Sequence, residues 1–136
     1  MKLGRIMGID PGYDRCGVAI IEGTIQKPKV LFSCCIETSK TKTFYERILF
    51  IFDTLNAVIN EWQPEHFAIE DIFITTNQKT AIKVTEARGV CLLAAAKKAV
   101  AAIFCGFKAW ITQWPQSPPE AYSQPASPVK RRPPLS

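Results

Sequence analysis

The apolar positions open with a short run, Ile6, Met7 and Ile9, that stops at Asp10-Pro11-Gly12, the pattern of a strand running into a tight turn. Asp10 therefore falls at a strand end. Two further runs, Cys16 to Glu22 and Val30 to Thr38, are rich in Val, Ile, Phe and Cys and are separated by Gly23 and Pro28, which predicts antiparallel strands and a three-stranded opening meander. Thr43-x-x-Glu46 then reads as a capping box, and behind it Ile48, Phe52, Leu55, Ile59 and Trp62 recur at helical spacing as far as Pro64. Phe67-Ala68-Ile69-Glu70 is a short buried strand, and the helical crossover before it predicts that it lies parallel to an earlier strand, with Glu70 beside Asp10. From Asn77 to about Ala102 strong helix formers predict a second long helix. On it Lys79 and Lys83 share a face one turn apart, and Gly89 would permit a close approach.

These elements predict an α/β fold class: a mixed sheet with strands 1–3 antiparallel and strand 4 parallel, and helices packed on the faces. At 136 residues the chain is about one domain long. Its 47% hydrophobic and 21% charged residues are ordinary globular usage, which excludes a wholly disordered chain. Beyond Phe104 the composition changes. Seven of the ten prolines fall between Pro115 and Pro134, among Ser and Gln, and Lys130-Arg131-Arg132 closes the stretch. The expected organisation is a folded domain over 1–104 and a Pro-rich tail over 105–136 that does not fold compactly.

The net charge of +5 suits a polyanionic partner such as nucleic acid. The five cysteines, Cys16, Cys34, Cys35, Cys91 and Cys105, contain no CxxC pair, so buried free thiols are expected rather than a zinc or disulfide framework. The opening run to Ile9 is short, contains Lys2 and Arg5 and leads into a turn. Neither a signal peptide nor a membrane span is expected there, and the expected location is the cytoplasm.

Two carboxylates at the ends of neighbouring parallel strands can converge on one divalent cation, and oxygen donors suit Mg²⁺. Taken singly, Asp10 reads as a turn cap and Glu70 as a solvated strand end. Resemblance changes that balance. The string Ile6-Met7-Gly8-Ile9-Asp10-Pro11-Gly12 with Cys16-Gly17-Val18-Ala19 resembles the opening of the RuvC family of Holliday junction resolvases. Phe67-Ala68-Ile69-Glu70-Asp71-Ile72-Phe73 resembles a later segment of that family, as does Asn77 with Ala81-Ile82-Lys83 and Glu86-Ala87-Arg88-Gly89. These matches run in order over residues 1 to about 100.

The resemblance implies an RNase H-like fold, a homodimer that binds four-way junction DNA, branch-migration proteins as partners, and Mg²⁺-dependent symmetrical nicking in recombination and repair. It implies that Asp10 and Glu70 are catalytic metal ligands, and that Phe73 stacks on a base near the junction centre. Phe73 can equally be a core residue alternating with Phe67 and Ile69. Lys79, Lys83 and Arg88 are candidate DNA-binding residues, with a solvated helix face as the bland alternative.

One part of the family pattern is missing. The family's remaining carboxylates are an Asp and another Asp three residues on, at the start of its final helix, whereas here no Asp follows Asp71 and the one acidic residue after Glu86 is Glu120. A fifth strand and the helix covering the sheet are likewise not expected, which would leave a sheet edge exposed. The break falls near Lys97 to Ala102, the pattern of a shifted reading frame; the nucleotide sequence downstream of codon 97 tests that expectation. The expected function is a junction-resolving endonuclease impaired by this loss. The alternatives are an inactive junction-binding module and, more distantly, an actin-like or sugar-kinase-like nucleotide-binding protein.

Overall fold

The computed structural model describes residues 3–72, 77–98 and 101–104, with residues 3 and 101–104 described by their backbone alone. Three antiparallel strands open the chain: β1 (Leu3–Asp10), β2 (Arg15–Gly23) and β3 (Pro28–Glu37). Helix α1 (Phe44–Trp62) crosses over to β4 (His66–Ile69), and α2 (Gln78–Lys97) leads to β5 (Ala101–Phe104). The strands form one five-stranded sheet in the order β3-β2-β1-β4-β5, with β4 parallel to β1 and β5 parallel to β4.

The meander, the crossover and the parallel fourth strand follow the sequence pattern. The fifth strand does not. Residues up to about Ala102 were expected to be helical and no fifth strand was expected, yet α2 ends at Lys97 and residues 101–104 pair with β4 from His66↔Ala101 to Ile69↔Phe104. Alanine favours helix, but the unpaired N–H and C=O groups along β4 offer a ladder that outweighs a propensity worth a few tenths of a kcal/mol per residue. The edge of β4 is therefore covered rather than exposed.

Alternation along the strands separates two faces. Met7, Ile9, Cys16, Val18, Ile20, Ile36, Phe67 and Ile69 are fully or almost fully buried in one cluster with Ile51, Leu55, Val58 and Ile59 of α1 and Cys91, Ala94 and Ala95 of α2. Both helices thus lie on the same sheet face. The opposite face carries Asp10, Gly17 and Cys35, in register with one another across the strands, and Ser33, which pairs with Ala19. Ser33, Cys35 and Asp10 are exposed there, and among the described residues no helix covers that face.

Helix α1 is held at both ends. The Thr43 hydroxyl accepts from the Glu46 amide, and the Glu46 carboxylate accepts from the Thr43 amide at 2.8 Å, the expected capping box. The backbone and hydroxyl hydrogen bonds from Thr43 hold Glu46 below the usual carboxylate range. At the other end Gln63 adopts a left-handed conformation (φ 47°), its amide donates to Ile59 O at 2.9 Å, and Pro64 follows. The buried stripe centres on Ile51, Leu55 and Val58, so Ile48, Phe52 and Trp62 are half-buried at its margins.

Two sequence expectations change. Gly89 was expected to allow a close approach, but it is exposed, and a Cβ built on it would meet nothing within 4 Å; it lies on the outer side of α2. The cysteines were expected to be buried. Cys16 and Cys91 are, Cys34 is half-buried, and Cys35 is exposed because it points to the uncovered face; Cys105 lies outside the described residues. Burial pushes the Cys34 thiol up to about 12. Among the described residues no helix is long and apolar enough to cross a membrane.

Phe67→Ala removes the largest fully buried side chain and should cost about 3–5 kcal/mol, whereas Thr43→Ala removes one cap and should cost about 1 kcal/mol. Urea unfolding of the two variants checks this order. A thiol reagent should label Cys35 in the native chain and reach Cys16 and Cys91 only after denaturation, as mapped by mass spectrometry.

Candidate metal and nucleic-acid site

The site is built by the pairing of β1 with β4. Their parallel register, Met7↔Phe67 and Ile9↔Ile69, places the next residue of each strand, Asp10 and Glu70, side by side at the same end of the sheet. The Glu70 amide donates to Ile9 O at 3.2 Å, which carries the ladder one step past β4. Asp10 is exposed and Glu70 half-buried. On the other side of Asp10, its partner across the antiparallel ladder is Gly17, and a Cβ there would stand 3.4 Å from the Asp10 Cβ. Glycine therefore keeps the space beside the Asp10 carboxylate open.

The turn after β1 fixes where the chain leaves the site. A Cβ on Gly12 would collide with the Arg15 carbonyl oxygen, so the turn requires glycine there. Arg47, in the first turn of α1, donates from Nε to the Thr38 hydroxyl at 2.9 Å and from Nη2 to Tyr13 O at 3.4 Å, and pairs with Asp14. Its guanidinium also lies 5.1 Å from the centroid of the Tyr13 ring. The loop carrying residues 11–14 is thus tied to α1 by one largely buried arginine. Directly behind this loop, in the core, the Cys91 thiol is hydrogen-bonded to Cys16, which holds Cys91 above the usual thiol range.

The basic candidates divide. Lys79 and Lys83 are exposed in the first two turns of α2. The Lys83 ammonium stands 5.6 Å from the Tyr13 ring centroid and 5.8 Å from that of Phe44, which brings positive charge to the loop that follows Asp10. Arg88, expected among the DNA contacts, turns back onto the sheet. Its Nε donates to Glu70 O at 3.1 Å and its Nη2 pairs with Asp71 Oδ1 at 3.0 Å. Phe73 lies outside the described residues.

Sequence reading missed Arg47, Tyr13, Asp71 and Gly17. The one signal was position: Tyr13 and Asp71 stand within three residues of a candidate carboxylate. For Arg47, 37 residues from Asp10 along the chain, nothing in the local pattern shows where its guanidinium goes.

Two oxygen donors beside an open, solvent-facing space fit a hydrated divalent cation, since a small hard ion keeps most of its water and takes one or two carboxylates. Among the described residues no third His, Cys, Asp or Glu joins them to make a fuller ligand group.

The model of the RuvC family, the crossover junction endodeoxyribonucleases, matches residues 6–109. This chain belongs to the RuvC family. The match extends past Lys97 to Ala102, where the resemblance was expected to break. The RuvC protein of Brachyspira hyodysenteriae is 46% identical over 88 residues, 65% of this chain and 55% of that protein. That of Finegoldia magna is 40% identical over 94 residues, 69% of this chain and 57% of that protein. The chain thus spans little more than half the length of these relatives. Among solved structures, Thermus thermophilus RuvC in complex with a Holliday junction substrate superposes with a TM-score of 0.69 at 26% identity, covering 76% of this chain and 64% of that one. The fold of this RuvC-family chain is accordingly RNase H-like.

Gly17→Val fills the space beside Asp10 on the uncovered face. It should weaken Mn²⁺ binding about ten-fold while shifting stability by less than about 1 kcal/mol, as read by Mn²⁺-induced paramagnetic broadening alongside a thermal melt.

Proposed function

We propose that this chain is a Holliday junction resolvase, a Mg²⁺-dependent endonuclease acting on four-way DNA junctions in recombination and repair, in which cleavage by these 136 residues is severely reduced. The reading rests on the neighbouring positions of Asp10 and Glu70 at the ends of two parallel strands, taken with membership of the RuvC family. The folded nuclease domain is proposed to comprise residues 1–104, with 105–136 as a tail.

In this reading Asp10 and Glu70 are the catalytic metal ligands. Bound Mg²⁺ supplies an activated water and neutralises charge on the scissile phosphodiester. Asp10 and Glu70 would hold it, and Gly17, which has no side chain, leaves room beside Asp10. Lys79 and Lys83 contact phosphates, the exposed position of both and the place of Lys83 over Tyr13 supporting that role. Phe73 stacks on a base beside the junction centre, a contact worth about 1–3 kcal/mol.

Impairment follows from the missing acids. No Asp follows Asp71, and Glu120 stands among Pro118, Pro119 and Ser123, a sequence that disfavours a helical ligand pair. Two carboxylates can retain one hydrated ion. Aligning two ions for in-line attack is a stricter geometric demand. The same absence favours a second reading, a junction-binding module that does not cut.

A homodimer is part of the proposal. Ile82, Gly89 and Leu93 recur along one exposed side of α2 that also carries Glu86, and the two exposed apolar side chains there suit contact with a second copy. Branch-migration proteins as partners and a cytoplasmic location complete the reading on family grounds.

Incubation with a mobile four-way junction and Mg²⁺ tests this. A gel shift without symmetrical nicks is expected; symmetrical nicks at the rate of full-length relatives overturn the impairment, and absence of junction binding overturns the whole reading. Lys79→Ala and Lys83→Ala should each reduce the salt slope of junction binding by about 1. Leu93→Glu should shift the chain to monomer in sedimentation.

A further inference from the structure

Arg88 does something for the site that no nucleic-acid contact requires. It stands on α2, 18 residues after Glu70, yet its side chain returns to the strand end that presents Glu70. Nε donates to the Glu70 carbonyl oxygen and Nη2 pairs with the carboxylate of Asp71, the next residue. The Arg88 side chain is 18% exposed against 50% for Asp71, so the guanidinium is largely withdrawn from solvent. Strand β4 ends at Ile69, one residue before Glu70. Glu70 therefore sits where sheet pairing runs out, held by its own amide to Ile9 O and by Arg88 at its carbonyl.

We propose that Arg88 is a positioning residue. By bridging the Glu70 carbonyl and the Asp71 carboxylate, it locks the backbone that aims Glu70 toward Asp10. The bridge needs the planar fork of a guanidinium, in which two N–H groups point to two acceptors at once. A lysine ammonium is a point charge that satisfies one of them. Conservation of charge and conservation of geometry therefore have different consequences here, and this separates positioning from phosphate contact. A phosphate contact is largely restored by lysine; the bridge is not. The proposal extends the metal reading of Asp10 and Glu70, on which its second readout rests.

The test uses the 136-residue chain with Arg88→Lys, Arg88→Gln and the milder Asp71→Asn, which alters only the exposed partner and keeps the proposal testable should the Arg88 variants fold poorly. The first readout needs no metal: hydrogen exchange at the Glu70 amide, taken relative to the Ile20 amide in the β1–β2–β3 core. Arg88→Lys and Arg88→Gln should raise that ratio about ten-fold, as expected for one lost net hydrogen bond, and Asp71→Asn should raise it by a smaller factor. Arg47→Lys, which loosens the other loop, should leave it unchanged. An unchanged ratio in the Arg88 variants overturns the proposal, including the case in which every amide exchanges faster together.

The second readout is Mn²⁺ binding, which Arg88→Lys should weaken about ten-fold, in the range for residues that orient a metal ligand. Junction binding in EDTA should keep its salt slope in the same variant. A slope lowered by about 1 in Arg88→Gln and restored in Arg88→Lys, with Mn²⁺ affinity intact, assigns Arg88 to phosphate and overturns the proposal. A wild-type chain that binds no Mn²⁺ sinks the metal reading of Asp10 and Glu70, while the amide ratio still decides the positioning role.

Discussion

The parallel pairing of β1 with β4 is the constraint on which the site depends. Asp10 and Glu70 are 60 residues apart in the chain, and only this ladder makes them neighbours. Its register is set by packing. Met7 and Ile9 on β1 and Phe67 and Ile69 on β4 must all face the two helices, and a slip of one residue would turn one set outward and carry Glu70 to the wrong side of the sheet. The hydrophobic core thereby determines the geometry of two carboxylates that it does not touch. Helix α1 makes the pairing possible as a crossover long enough to return the chain to the same sheet edge, with a defined cap at each end.

Around the two carboxylates the cations fall into two kinds. Arg47 and Arg88 are largely buried and make local hydrogen bonds, each to a backbone carbonyl and to an aspartate close after a candidate metal ligand: Asp14 after Asp10 and Asp71 after Glu70. Lys79 and Lys83 are exposed at the start of α2, and Lys83 lies over Tyr13 of the loop that follows Asp10. The division matches the chemistry of the side chains. A planar guanidinium in a partly dry setting organises several acceptors at once, while a solvated ammonium offers charge to a mobile anion at little desolvation cost. In the proposed reading the arginines position the site and the lysines attract anions, so the two tasks fall on separate residues.

The RuvC family match covers residues 6–109, and the chain superposes on a solved RuvC structure. The sheet face opposite the helices carries Asp10, Gly17 and Cys35, with no helix over it among the described residues. A site that opens on an uncovered face can admit a hydrated ion. Among the described residues Asp10 and Glu70 alone would meet such an ion, and for this reason the proposed reading expects binding to outlast cleavage.

Much of this was legible in the chain. Periods of two and of 3.6 gave the meander, the capped helix, the short buried strand and the position of both carboxylates at strand ends, because those features depend on residues near one another in sequence. Other features had no local signal. Ala101 and Ala102 are helix formers by composition and part of a strand in fact, since the open edge of β4 decides. Gly89 suggested a close approach within the chain, and Cys35 suggested burial, but exposure is set by which face another element covers. Arg88 illustrates the difference most clearly. Its sequence neighbours place it on a helix with two exposed lysines, and only the packing of α2 against the sheet turns its guanidinium to the carbonyl of Glu70. Sequence determined which residues could carry charge, pair in strands and form the core; tertiary structure decided which of them meet, because a long side chain's partner is fixed by the packing of distant elements and not by its neighbours in the chain.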